Sequence, residues 1–129
     1  MKKLALLSLL MVSQLCFGQN LTGKWTWGKE ATSGGTLKVI ERKGRLSFQL
    51  TCYQMRSKQA VGTIAGDVTI KKNKGTFRSP ALADCVIQFT IKPKAIILEQ
   101  TGKGDCEFGT GVQADGAYQR VSKTKPVFD

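Results

Sequence analysis

The chain has 129 residues, 20 lysines and arginines against nine acids, no histidine, and a formal charge of +11. That length supports one domain core and not two. The lack of histidine excludes Ser-His-Asp and Cys-His catalysis and most zinc ligation, and the charge excess points to an acidic partner or to a solubilising surface.

Met1-Lys2-Lys3 is a cationic start, and the run from Leu4 to Leu15 is nearly all apolar. Cys16-Phe17-Gly18 then leads into polar Gln19-Asn20, which completes the layout of a secretory signal. The apolar run is too short to span a bilayer. Residues 1–18 are therefore read as a cleaved signal peptide, 19–121 as the domain, and 122–129 as a flexible tail. No transmembrane segment is expected after cleavage, and the mature protein is placed in a secreted or periplasmic location. Loss of Lys2 and Lys3 lowers the formal charge by two and leaves it strongly positive. Cys52, Cys85 and Cys106 then remain, where a disulfide can form.

From residue 23 onward apolar residues recur with period two and glycines punctuate the chain, the pattern of short antiparallel strands. Strands are expected at 23–28, 36–42, 45–52, 60–71, 75–79, 85–92, 95–102 and 112–121. Lys43-Gly44 is the clearest turn; it sets Val39 against Phe48 and Leu37 against Leu50, with Leu46 and Cys52 on the same face. A second hairpin turns through Lys72-Asn73-Lys74-Gly75. A third turns at Pro93-Lys94 and sets Ile91 against Ile96 and Phe89 against Leu98. About eight strands suffice for an up-and-down meander to close, so the expected fold is all-β, a small antiparallel barrel.

The segment Leu21 to Thr26 resembles the first strand of avidin-type barrels, and Gly23-Lys24-Trp25 is similar to the lipocalin opening motif. The resemblance implies a barrel plug in which Trp25 packs against a basic residue near the last strand, here Arg120. Trp25 and Trp27 are the only tryptophans, so the later ones that line the avidin-type ligand site are missing and biotin binding is not implied. The run from Cys106 to Tyr118 resembles the end of small secreted bacterial β-domains of no known role.

In a meander alternate connections emerge at the same end. The three tight turns then share one rim carrying Arg42, Lys43, Arg45, Lys71, Lys72, Lys74, Lys92 and Lys94, where converging charge suits a polyanion. Lysine at hairpin tips also serves simply as solvated, anti-aggregation charge. Aromatic residues for base stacking are absent from the tips, which disfavours nucleic acid. The opposite end gathers the longer connections with Trp27, Tyr53, Met55 and Phe108, a mouth for a small apolar or amphipathic ligand or else a plugged end that completes the core. The expected protein is accordingly a non-catalytic exported binding module with its ligand at that mouth. The alternative is an envelope protein docking an acidic component (glycan, lipid headgroup or protein) through the cationic rim. Neither a metal nor a cofactor is expected.

The cysteines follow the register. Pairing Ile91 with Ile96 brings Cys85 opposite Gly102, within folding-back distance of Cys106, while Cys52 continues an inward apolar series. The alternative pairing, Cys52 with Cys106, uses two residues of the same rim.

Overall fold

A computed structural model of the chain describes residues 20–29, 33–54, 60–102, 106, 108 and 112–129. The expected signal peptide, 1–18, and Met55 lie outside the described residues. Eight antiparallel strands follow one another: β1 (Gly23–Lys29), β2 (Ser33–Arg42), β3 (Arg45–Gln54), β4 (Ala60–Thr69), β5 (Lys74–Arg78), β6 (Val86–Ile91), β7 (Ile96–Gln100) and β8 (Gly116–Ser122). They form one up-and-down sheet in the order β4-β3-β2-β1-β8-β7-β6-β5, curled into a nearly closed barrel.

The hairpins carry the registers expected from alternation. Val39 faces Phe48 and Leu37 faces Leu50 across β2 and β3, and Ile91 faces Ile96 and Phe89 faces Leu98 across β6 and β7. Lys43 and Gly44 both have positive φ, 52° and 78°, as a two-residue hairpin of matching twist requires. The second turn centres on Lys72 and Asn73, also at positive φ, so β5 begins at Lys74, one residue before its expected start. Inward positions fill the barrel with Leu37, Val39, Leu46, Phe48, Leu50, Ile87, Phe89, Ile96, Leu98 and Tyr118, all essentially without solvent contact. Phe48 sits at the centre, edge-on to Phe77 and tilted against Phe89.

Two departures from the sequence expectation shape the molecule. Residues 112–115 are irregular and not strand, because side chains there replace the ladder: the Gln100 N–H donates to Asp115 Oδ1 and the Ala114 N–H donates to Gln100 Oε1, each at 3.1 Å. The barrel is also incomplete at one seam. Closure runs through β1 and β8, but β4 and β5, consecutive in sequence, stand at the two ends of the strand order, and their backbones pair only at the Lys71–Lys74 bridge beside their turn. Ten-residue β4 outruns five-residue β5, and above the turn the two strands diverge.

Aromatic side chains and glycines fill that seam. The Phe77 ring lies where a side chain at Gly66 would be, and the Phe108 backbone lies where one at Gly62 would be. Phe108 is held there through Cys106, which is disulfide-bonded to Cys85 with 4.8 Å between Cα atoms. This is the pairing favoured by the register, and Cys52 is free and buried.

The C-terminal segment, expected to be a loose tail from residue 122, departs from that expectation. Ser122 still belongs to β8, and the end of the chain folds back onto the outer face of β2 and β3. Lys38 Nζ donates to Val127 O at 2.9 Å, and the Gln49 side-chain amide exchanges hydrogen bonds with the Asp129 backbone. Lys38 and Gln49 are cross-strand partners, so one pair receives these hydrogen bonds.

Candidate functional site

The two ends of the barrel differ in construction. At the tight-turn end the three turns are stitched side by side through their backbones: the Ile70 N–H donates to Gly44 O and the Ile91 N–H donates to Asn73 O, both at 2.8 Å. This fixes the relative heights of the turns and brings Arg42, Lys43, Arg45, Lys71, Lys72, Lys74, Lys92 and Lys94 to one rim, every one of them exposed. Arg45 pairs with Asp67 at 3.3 Å. The other rim cations make no ion pair with any described residue. Adjacent turns are two strand spacings apart, about 10 Å, roughly one screening length at physiological ionic strength. Their potentials therefore overlap in low salt and separate in high salt.

The floor of this end is closed. Trp25 is buried, its indole N–H donates to Leu21 O at 3.0 Å, and the Arg120 guanidinium lies 4.6 Å over its ring. Arg120 Nη2 donates to Asn20 O. The Leu21 N–H donates to Glu41 Oε1, and the Glu41 N–H donates to Thr22 Oγ1, which straps the chain across the bottom of β2. Glu41 is thus committed to the backbone, and nothing acidic faces the rim beyond Asp67 among the described residues. Exposed Lys24 and Lys123 flank this end beside the β1–β8 junction, where Lys24 faces Ser122. Grouping cations by hairpin turn overlooks them; the topology, which sends β1 out from this end and returns β8 to it, was the signal that could have found them.

At the opposite end the residues expected to line a mouth are largely occupied with packing. Phe108 is buried against Gly62. Trp27 is half-buried and meets Tyr118 edge-on, with ring centroids 6.3 Å apart. Both rings rest on glycines of other strands, Tyr118 of β8 reaching past β1 to Gly35 of β2: a Cβ at Gly35 would meet the Tyr118 hydroxyl, and one at Gly116 would meet the Trp27 indole. Tyr53 covers Gly34 in the same way. A depression of about 280 Å³ remains on the surface, lined by Trp27, Tyr53, Gln54, Val112 and Asp115 among others. That is below the roughly 300–1,000 Å³ of typical small-molecule sites.

Beneath it, the Tyr118 hydroxyl donates to Ala114 O at 2.8 Å, which commits its one hydrogen, and Cys52 Sγ lies 3.7 Å from the same oxygen. Burial pushes the Cys52 thiol up to about 12 and raises the Tyr118 phenol as well, so both stay protonated and unreactive near neutral pH. No group of three or more acids and cysteines among the described residues is arranged to hold a metal ion. No helix among the described residues is long and apolar enough to cross a membrane.

Comparison of the chain with protein-family models, curated proteins and solved structures finds no match.

Proposed function

We propose that this is a non-catalytic binding protein that docks an acidic partner through its cationic rim. One observation carries the reading: the backbone hydrogen bonds between the three turns hold eight exposed cations at one end, with a single ion pair among them. Charge gathered in this way acts on a polyanion as one local potential and not as scattered contacts. The filled interior and the occupied aromatic side chains at the far end favour the rim over an internal ligand. The absence of histidine from the sequence supports a binding role over catalysis. Export is part of the proposal. It rests on the leader-like residues 1–18, and the Cys85–Cys106 disulfide is consistent with an extracytoplasmic compartment. The stacking of Arg120 on Trp25 supports a lipocalin-like opening.

A second reading places a small amphipathic ligand in the depression beside Trp27 and Asp115. Salt separates the two, because rim binding collapses as ionic strength rises and apolar binding does not.

The test replaces Arg42, Lys43, Lys72, Lys74, Lys92 and Lys94 by Gln. Against a control with Lys29, Arg56, Lys58, Arg78, Lys103 and Lys125 replaced by Gln, the rim variant elutes from immobilised heparin at distinctly lower salt while both keep the β-type circular dichroism. Equal losses in the two variants would show that net charge alone governs retention, and would sink the proposal.

A further inference from the structure

The shape of the rim narrows the class of acidic partner. We infer that the rim docks face-on onto a planar anionic surface, the phosphate headgroups of a lipid bilayer. The inference rests on the rim reading above.

Three features carry it. The stitched turns run from β2 round to β7, six of the eight strands, and Lys24 and Lys123 continue the charge at the β1–β8 side. The cations therefore encircle the end of the barrel and do not follow a groove across it. A linear polyanion laid over a closed ring touches only the turns beneath its path, whereas a plane meets all of them at once. The floor inside the ring is shut by Trp25, Leu21 and Arg120, so no cleft lies there for a chain end or a small anion to enter. Lastly, the exposed large apolar residues among the described ones are Val61, Leu82, Val121 and Val127; none is in the three turns, and Val121 alone lies near this end, in β8. With no large apolar side chain in the turns to insert between lipids and no ring there to stack on a nucleobase, attraction by the turns is electrostatic and confined to the headgroup layer.

Each turn then contributes about equally. A cation near an anionic bilayer strengthens adsorption about five-fold, so removing two from any one turn weakens it about 25-fold. The experiment is co-sedimentation of the protein beginning at Gln19, without the leader-like residues, with vesicles of phosphatidylglycerol and phosphatidylcholine in equal parts, and with vesicles of phosphatidylcholine alone. Three variants each carry two Gln substitutions in one turn: Arg42→Gln with Lys43→Gln, Lys71→Gln with Lys72→Gln, and Lys92→Gln with Lys94→Gln. Binding to the mixed vesicles, absent on the neutral ones, lost in about 1 M salt and weakened to a similar extent by each variant is the expected result. Loss confined to one variant would mean a local site and would overturn the planar arrangement. Rim-dependent heparin retention without preference for anionic vesicles would overturn the lipid inference and leave the rim reading standing. If neither heparin nor vesicle binding depends on the rim, both fall.

Discussion

Cys52 and Tyr118 show how strongly position governs the chemistry of single residues in this barrel. Cys52 is inaccessible to solvent, and its thiol is pushed up to about 12 by burial, against about 8.5 for an exposed one. In the protein beginning at Gln19, which lacks Cys16, a thiol-reactive dye near pH 8 is expected to leave the folded state unlabelled and to label one site after denaturation. Labelling of the native state at a comparable rate would show that the inward placement is wrong. The direction of the pH effect follows from the same shift. The folded thiol keeps its proton while the unfolded one ionises, so the stabilisation is fully present below about pH 8 and is lost as pH rises towards 12. Urea unfolding should therefore show the wild type losing about 2 kcal/mol more than Cys52→Ala between pH 8 and pH 10; parallel pH profiles would contradict it.

At the scale of elements, glycine and ring act as pairs. Gly62 lies under the backbone of Phe108, where an added Cβ would come within 2.2 Å of Phe108 Cα, a contact that no side-chain rotation relieves. Gly62→Ala is expected to destabilise the protein by about 2–3 kcal/mol, read as a lower denaturant midpoint. Thr63→Ala next to it, whose hydroxyl meets Thr51 on the exposed face, should cost about 0.5 kcal/mol or less. Similar losses for the two would mean that the loop does not press on β4.

These pairs also mark what the sequence leaves unsaid. Hairpin registers such as Val39 with Phe48 were legible because alternation and the turn lie within one short window. The Cys85–Cys106 pairing followed from such a register. Gly35 and Tyr118 lie in β2 and β8, and no local pattern tells which ring fills which gap. Phe108 therefore read as part of a mouth where the fold buries it, while Trp27 lines the depression and also packs on Tyr118. The irregular stretch 112–115 escaped notice for a related reason: the side chains of Gln100 and Asp115 take over hydrogen bonds that alternation would assign to backbone. The rim was legible because connectivity alone sends alternate turns to one end. Its lateral stitching was not.

Taken whole, the molecule is a ring of strands joined at β1 and β8 and left open between β4 and β5, with Phe108, tied through the Cys85–Cys106 disulfide, packed on the inner face of β4 at Gly62. The cross-link itself closes a short loop, which in the chain-entropy model stabilises the fold by about 3 kcal/mol. Its location gives it a second role. The upper part of β4 has a strand on one side only, and a row of unsatisfied backbone groups in a β-protein is a template for another chain. Phe108, tied through Cys106 to Cys85, backs the inner face of this strand at Gly62 and so holds it in place; the bond is therefore expected to guard against self-association as well as against unfolding. Replacing Cys85 and Cys106 together by Ala should leave a folded but weaker protein whose amides at 60–66 exchange faster and which forms concentration-dependent oligomers on size-exclusion chromatography. A variant that stays monomeric at high concentration, with β4 as protected as before, would mean that the seam holds shut without its staple.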